Sequence, residues 1–515
     1  MLPLPPELKR SYEHVLSWQK SVANLKTNKD KFPIVLNINE QLRRANRGDL
    51  SLDLLLPWRP VFKNDLQYQF ALALAYRDTQ SHKDAIKAVN RVLSTSYSTN
   101  IHLHAAGKIK LENWQDGAAR DFKNALQNDP NNLQLVKDFA RALACSGAFE
   151  KAQNVLETKL TGQPDWLEGL EQLSGLRHTT GQENYERAYK QAILKSPDNV
   201  KLRLAWFQNC VKHKKWDNAE KILREAIKKF GEQKSLLSAR CFLLAETQSD
   251  FSFEDLFALV KDISDPGLDI CKVRYALKQS APEIALSICE PYIKTDLDRA
   301  FWPYISLCWR LLDNQRFIWL ERDGEFIQTL DLGFSKQDLA EMKSCLISLH
   351  DHQQYYPEQS VRNGSQTDRN LLLAHFPKIQ KLRAYILDQL SEYINSMPDI
   401  EPDHPFLRHD RSIMKFAGSW SVLLRGAGFH SDHTHTQGWI SSACYFNVPD
   451  VETRGPEPAG YLRFGAPPPE LRLSLDPYKW VKPEAGKLVL FPSYIWHGTE
   501  PILDGQRLTV AFDVM

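Results

Sequence analysis

Three features that would assign the chain to a special class of protein are missing from its sequence. Its 8 cysteines are isolated and form no Cys-x-x-Cys pair, so we expect a reducing compartment and neither a zinc ribbon nor a disulfide framework. No run approaches the roughly 18 apolar residues of a membrane span, and the first residues carry no secretory signal. A formal net charge of +2 gives no indication of a nucleic-acid partner. These absences predict a cytoplasmic protein with no nucleic-acid or membrane partner.

The composition is that of an ordinary globular protein, with 43% hydrophobic and 25% charged residues. A chain of 515 residues is long enough for about two to four domains. A helical and repetitive pattern fills the first two-thirds of the chain, and short apolar runs separated by glycine and proline follow after residue 400. The sequence therefore predicts an α+β multidomain protein.

Small or apolar residues recur every 33 or 34 residues in the helical part. One register consists of Val92, Ala125, Lys159, Ala192 and Ala226, and a second of Ala85, Ala118, Ala152, Tyr185 and Ala219. This period resembles that of tetratricopeptide repeats, in which small side chains let paired helices approach closely. The resemblance implies a superhelix over residues 1–235 whose concave surface holds a peptide or helix. The period blurs over 236–335, where we expect degenerate helical repeats or connecting helices.

The pattern after residue 400 is typical of β-strands. Apolar or alternating runs occupy 420–424, 439–448, 461–464, 487–491 and 508–514. Strands at this spacing predict a double-stranded β-helix, or jelly roll, and we place that domain at 336–515. An amphipathic helix is expected earlier in it, over residues 377–395.

The last ninety residues contain an unusual group of histidines. His430, His433 and His435 lie close together in the sequence, His497 follows the run 487–491, and Arg507 comes ten residues later. Two residues spaced i and i+2 on extended backbone face the same side of the chain. Closure of a barrel would bring them to His497, so we expect a metal site there.

The segments 428–445, 486–501 and 507–513 resemble prolyl-hydroxylase-like oxygenase domains that depend on Fe(II) and 2-oxoglutarate and are often fused to tetratricopeptide repeats. The resemblance covers about residues 340–515. It implies Fe(II), 2-oxoglutarate and molecular oxygen as cofactors and cosubstrates. It also implies that His433 and His497 bind iron. Arg507 would pair with the distal carboxylate of 2-oxoglutarate, and Tyr445 would hydrogen-bond the same molecule.

The second iron ligand departs from the usual pattern of that family. The residue two after His433 is His435 instead of aspartate or glutamate, and we favour His433, His435 and His497 as the ligand set. In one alternative, His430 and Asp432 bind the metal. In another, Asp432 joins His433 and His497. Two further possibilities are a polar cluster without metal and a zinc or manganese site without oxygenase activity.

The resemblance implies a dioxygenase that hydroxylates a C–H bond, and the repeats favour a protein or peptide substrate. Two alternatives stay open. One is a non-catalytic repeat scaffold whose oxygenase domain has decayed, which the substitution at His435 favours. The other is a hydroxylase of small molecules. The residues do not identify the substrate, the hydroxylated atom or the oligomeric state.

Overall fold

The computed structural model describes residues 28–247, 252–350, 361–412 and 414–515. The first residues, for which no secretory signal is predicted, lie outside the described part of the chain. No helix within the described part is both long and apolar enough to span a bilayer.

The chain divides into two compact units. The first unit comprises Met1–Val155, Arg369–Arg383 and Asp410–Lys415, and the second comprises Leu156–Asp368, Ala384–His409 and Phe416–Met515. Two helices, Phe149–Gly162 and Pro377–Ser396, contain residues of both units.

The first unit is built from helical hairpins. Its helices are Asn28–Arg44, Gly48–Leu55, Arg59–Phe62, Leu66–Asp78, His82–Leu93, Asn100–Glu112, Ala118–Asn128 and Leu133–Cys145. Close approach of paired helices depends on small residues, because a Cβ added to Gly107 would lie 2.6 Å from the ring of Phe122 on the next helix. Such contacts let the apolar face of each hairpin be buried against its neighbour.

The second unit continues the helical hairpins before its β-sheets begin. Its helices are Leu167–Thr179, Arg187–Lys195, Val200–Lys212, Trp216–Phe230, Lys234–Thr247, Phe253–Ala258, Pro266–Lys278, Pro282–Cys289, Trp302–Leu311, Arg316–Glu321, Lys336–Ser348 and Val451–Arg454. The predicted limit of the first domain, residue 235, falls at the start of the helix Lys234–Thr247.

Both predicted registers face inward at almost every position. All members of the second register are buried, and in the first register only Lys159 is partly exposed. Lys159 keeps its place because a long side chain can bury its methylene stem while its ammonium group reaches water.

The turns between paired helices show the repeat more clearly than the side chains do. A residue with positive φ recurs in these turns, at Asn46, Gln80, Trp114 and Gly147 in the first unit and at Gly181, Lys214, Ser280 and Asp313 in the second. The N–H of the residue that follows each positive-φ residue donates to the carbonyl five residues before it, as from Gln115 to Lys110 and from Ala281 to Ala276. Steps of 33, 34 or 66 residues separate these turns, so the repeat extends through the region where its side-chain pattern blurs.

The β-strands of the described residues all belong to the second unit. They are β1 Gln328–Asp331, β2 Val361–Gln366, β3 Phe416–His430, β4 Ile440–Asn447, β5 Leu462–Phe464, β6 Lys479–Val481, β7 Lys487–Pro492, β8 His497–Thr499 and β9 Gln506–Val514. The larger antiparallel sheet has the order β1-β7-β4-β9-β3-β2, and the smaller has the order β6-β5-β8.

The predicted α+β class is confirmed, with helical repeats that resemble tetratricopeptide repeats followed by an antiparallel β domain. All five apolar runs form strands, and the predicted amphipathic helix is Pro377–Ser396. The short strands β1, β2, β6 and β8 were not predicted. Each has only three to six residues and is defined by its pairing with another strand, which local sequence does not encode.

Candidate metal centre

Backbone hydrogen bonds hold the two distant histidine segments side by side. The N–H of His433 donates to the carbonyl of His497, and the N–H of His497 donates to the carbonyl of His433, both at 3.0 Å. The N–H of His435 donates to the carbonyl of Ser493 at 2.9 Å. The segment after β3 is therefore fixed against the start of β8, with main-chain groups setting the positions of all three histidines.

The three imidazoles converge on one point. One ligand nitrogen from each of His433, His435 and His497 lies within 4.8 Å of the other two. The ring centroids of His433 and His497 are 4.4 Å apart, and those of His433 and His435 are 4.9 Å apart. Within the described residues, no other group of three histidine, cysteine or acidic side chains has the geometry to hold a metal ion. We call these three residues the candidate metal centre.

Each ring in the candidate metal centre has its Nδ1 atom engaged by the protein. His433 Nδ1 lies 2.7 Å from the carbonyl oxygen of Ser431, and His497 Nδ1 lies 2.9 Å from that of Ile495. A carbonyl only accepts hydrogen bonds, so Nδ1 carries the proton and Nε2 keeps its lone pair. This is the arrangement in which protein acceptors orient imidazoles that bind metals.

Burial favours the neutral imidazole at His433 and His497. Desolvation, followed by the neighbouring His435, lowers the pKa of His433 to about 3. Desolvation, followed by His433, holds the pKa of His497 well below its usual range. Neutral imidazoles can donate a lone pair at physiological pH without first losing a proton.

Asp432 and His430, the residues of the alternative ligand sets, do not belong to the convergent group. Asp432 accepts two hydrogen bonds from Arg463, at 3.0 Å to Oδ1 and 2.5 Å to Oδ2. The ring of His430 lies 6.2 Å from that of His433 and outside the convergent group. This geometry favours the set His433, His435 and His497, which stays a prediction.

Gly498 shows how tightly Asp432 is packed beside the centre. A Cβ at this position would lie 2.5 Å from Oδ1 of Asp432 and 3.0 Å from the carbonyl oxygen of His430. Only glycine leaves room for the carboxylate, which accounts for the Gly that follows His497.

A cavity of about 600 Å³ opens beside the candidate metal centre, and Arg507 and Tyr445 line it. Arg507 is 1% exposed and donates to the carbonyl of Gly460 at 2.8 Å and to the hydroxyl of Thr499 at 3.2 Å. Its Nε has no protein partner, and no carboxylate of the described residues pairs with it. The Tyr445 hydroxyl also has no protein partner.

These two groups suit an anionic ligand. Burial lowers the pKa of Arg507, while desolvation raises the pKa of Tyr445 to about 12, so the hydroxyl keeps its proton. Buried donors without partners are costly, and a carboxylate in the cavity would satisfy both. The structure thus brings Arg507 and Tyr445 to the same cavity as the three histidines.

Asp513 is a site residue to which the sequence analysis assigned no role. Its Oδ2 lies 2.6 Å from Nδ1 of His435. The sequence does contain a signal for it, because Arg507, Thr509, Ala511 and Asp513 alternate along β9 and all line the cavity. The two-residue period of a strand would have placed Asp513 on the same face as Arg507.

Comparison with known proteins supports the predicted resemblance over the β domain. Residues 418–513 match a family model described as "Putative 2OG-Fe(II) oxygenase". This match runs from β3 to β9 and includes the candidate metal centre, Arg507 and Asp513. No curated protein sequence matches the chain.

Solved structures with partial similarity include both kinds of protein that the sequence resembles. A prolyl-4-hydroxylase from Pseudomonas putida has 15% identity and a TM-score of 0.27, with 38% of this chain and 94% of that chain covered. A tetratricopeptide repeat protein from Parabacteroides merdae has 16% identity and a TM-score of 0.31, with 47% and 98% covered. Yeast Tom70 has 15% identity and a TM-score of 0.37, with 57% and 67% covered.

Proposed function

We propose that this protein is a 2-oxoglutarate- and Fe(II)-dependent dioxygenase that hydroxylates a C–H bond. One observation carries the proposal: three imidazoles converge in one cavity beside two buried donors without protein partners, the Nε of Arg507 and the hydroxyl of Tyr445. A polar cluster without metal would leave those buried donors unexplained.

The residues present fit both cofactors. His433, His435 and His497 would hold Fe(II) through their Nε2 atoms. Arg507 would receive the distal carboxylate of 2-oxoglutarate through Nε, with Tyr445 as a second donor. When bound, this pair supplies oxygen activation coupled to decarboxylation of 2-oxoglutarate to succinate. The chain orients both groups and limits the access of water to them.

The proposed enzyme has its repeats at 1–235, a continuation of the repeats at 236–335 and a jelly-roll oxygenase domain at 336–515. The turns at Ser280 and Asp313 support repeats in the middle segment. The two antiparallel sheets support a jelly roll.

We favour a protein or peptide substrate that the helical repeats present to the oxygenase domain. Stacked helical hairpins commonly offer an extended binding surface for a peptide. A small-molecule substrate would need no such surface.

An anaerobic titration of the full chain tests the proposal. Fe(II) and 2-oxoglutarate together should produce a visible metal-to-ligand charge-transfer band that neither gives alone, and His497→Ala should abolish it. If the iron-loaded wild-type protein shows no band and releases no succinate, the protein is a non-catalytic scaffold. Succinate release on a panel of peptides, compared with a panel of small molecules, then separates the two substrate classes.

A further inference from the structure

His435 differs from the other two histidines in what engages its Nδ1 atom. Main-chain carbonyls accept from His433 and His497, whereas the carboxylate of Asp513 lies against His435 at 2.6 Å. His435 stands where the resemblance to Fe(II) oxygenases implies a carboxylate ligand. The acid of the candidate metal centre, Asp513, therefore contacts the ligand His435 instead of binding the metal itself.

Asp513 is held rigidly. It pairs with Ser441 in the register between the central strands β4 and β9. Its Oδ1 accepts a hydrogen bond from the Ser441 hydroxyl at 2.7 Å, and that hydroxyl lies 2.8 Å from the hydroxyl of Ser493. Asp513 is 8% exposed, and both serines are 1% exposed. The carboxylate cannot rotate away without losing its contacts with both Ser441 and His435.

Trp420 and Gly438 also help to hold His435 and Asp513 in place. Trp420 stacks on the imidazole, with ring centroids 5.6 Å apart and planes 6° from parallel. Gly438 leaves space for the hydroxyl network, because a Cβ there would lie 2.6 Å from Oγ of Ser493 and 3.3 Å from Cβ of Asp513. The ring is thus fixed at its edge by Asp513 and on its face by Trp420.

The contact between Asp513 and His435 affects the charge around a bound metal ion. Three neutral imidazoles leave a divalent ion with its full charge, whereas a carboxylate ligand would remove one unit. A carboxylate that accepts from Nδ1 increases the electron donation of the imidazole and fixes Nε2 as the free nitrogen.

We propose that Asp513 is a positioning residue that makes His435 a strong metal ligand and supplies, through the imidazole, the negative charge that the ligand set lacks. This inference rests on the proposed function only in requiring that the three histidines bind a metal. It places the acid of the site on β9 rather than in the histidine segment.

Substitution of Asp513 by asparagine keeps the size of the side chain, removes its charge and replaces one acceptor oxygen by a donor amide. That amide can donate to Nδ1, which favours the tautomer with its proton on Nε2 and so leaves no lone pair at Nε2 for the metal. Loss of an outer partner typically weakens metal binding roughly 10- to 100-fold. We expect a loss of this size in the affinity for Co(II), used as a stable substitute for Fe(II).

The experiment titrates the metal-free full chain with Co(II) and records affinity and the visible d–d spectrum. Asp513→Asn should raise the Kd roughly 10- to 100-fold and shift the spectrum. Ser442→Ala is the matched control, because Ser442 is a buried serine of β4 whose hydroxyl hydrogen-bonds the main chain of Phe512 instead of Asp513 or His435. Its Kd should stay close to that of the wild type.

A double-mutant cycle with His435→Ala shows whether Asp513 acts through that ligand. If it does, adding Asp513→Asn to His435→Ala causes little further loss. The inference would be overturned if the loss of Co(II) affinity in the double variant equalled the product of the losses in the two single variants. An unchanged Kd in Asp513→Asn would overturn it as well. If Asp513→Asn does not fold, Asp513→Glu replaces it, with weaker Co(II) binding expected and wild-type affinity contradicting the inference. Failure of the wild-type protein to bind Co(II) would instead refute the proposed function.

Discussion

Each imidazole of the candidate metal centre has one nitrogen held by the protein and the other available to a metal. We expect alanine at His433, His435 or His497 to weaken Co(II) binding by more than about 100-fold, since loss of an outer partner alone costs roughly 10- to 100-fold. Equilibrium titration and metal analysis of the purified variants measure this.

His430→Ala and Asp432→Ala are the comparison variants for the three histidines. Both residues lie in the same segment, but Asp432 pairs with Arg463 and His430 stands outside the convergent group. Both variants should keep their metal. If Asp432→Ala loses metal while His435→Ala retains it, the ligand set is wrong.

Arg507 and Tyr445 should contribute unequally to 2-oxoglutarate binding. A hydrogen bond to a charged group is worth about 1.5–3 kcal/mol, so Arg507→Met should weaken binding roughly 10- to 100-fold. Tyr445→Phe removes a hydrogen bond to the same ligand but no opposite charge, so it should weaken 2-oxoglutarate binding less than Arg507→Met does. The charge-transfer titration measures both, with Co(II) affinity as the check that the metal site is intact. Unchanged 2-oxoglutarate affinity in Arg507→Met would contradict the assignment.

At the scale of single elements, the turn at Trp114 binds a later segment within the first unit. Its indole Nε1 donates to the carbonyl of Asn370 at 3.1 Å, and the guanidinium of Arg369 lies 3.8 Å from the ring centroid. Trp114→Ala should therefore cost about 3 kcal/mol in the free energy of unfolding. Chemical denaturation measures the loss. Gln80→Ala, at the equivalent turn one repeat earlier, should cost less than Trp114→Ala, because it removes a much smaller apolar side chain.

The loop that begins at His404 should give the second unit a pH-dependent stability. His404 is fully buried, its Nδ1 accepts from the N–H groups of Phe406 and Leu407, and desolvation lowers its pKa to about 4. Between its unfolded pKa of about 6.5 and this folded pKa, the unfolded chain binds the extra proton. Stability from this group is therefore complete above pH 6.5 and is lost as the pH falls toward 4.

Urea denaturation of the metal-free protein at pH 7.5 and pH 5 measures this effect. His404→Gln should lose less unfolding free energy between the two pH values than the wild type, because its unfolded chain takes up one proton fewer. An identical pH dependence in both proteins would show that His404 does not titrate on unfolding.

Several of these elements were predictable from sequence, and the reason others were not is physical. Runs such as 488–491 are apolar at every position and mark strands by themselves. β2 has a polar sequence, and it forms because β3 offers it a partner along Val361 to Gln366. The histidine segment was found because its chemistry is rare, whereas Asp513 gains its role from a contact between residues 78 positions apart.

At the scale of the whole molecule, binding should affect only part of the chain. Co(II) with 2-oxoglutarate at about 100 times Kd adds roughly 2.7 kcal/mol to the stability of the folded state that binds them. Hydrogen exchange should slow within Phe416–Met515, where the candidate metal centre lies, and remain unchanged in helices such as Leu66–Asp78. His497→Ala should abolish the difference. Protection that is confined to the helices would contradict the location of the site.

The regular spacing of the interhelical turns has a practical consequence for anyone who shortens the protein. Side-chain similarity alone would end the repeats near residue 235, yet Leu236 and Leu243 share a hydrophobic core with Phe207 and Ala219. A cut at that point would strip a helix from its neighbour and expose apolar surface on both fragments. A cut at the last such turn, Asp313, would likewise separate two paired helices, so any division that keeps the hairpins intact lies beyond it.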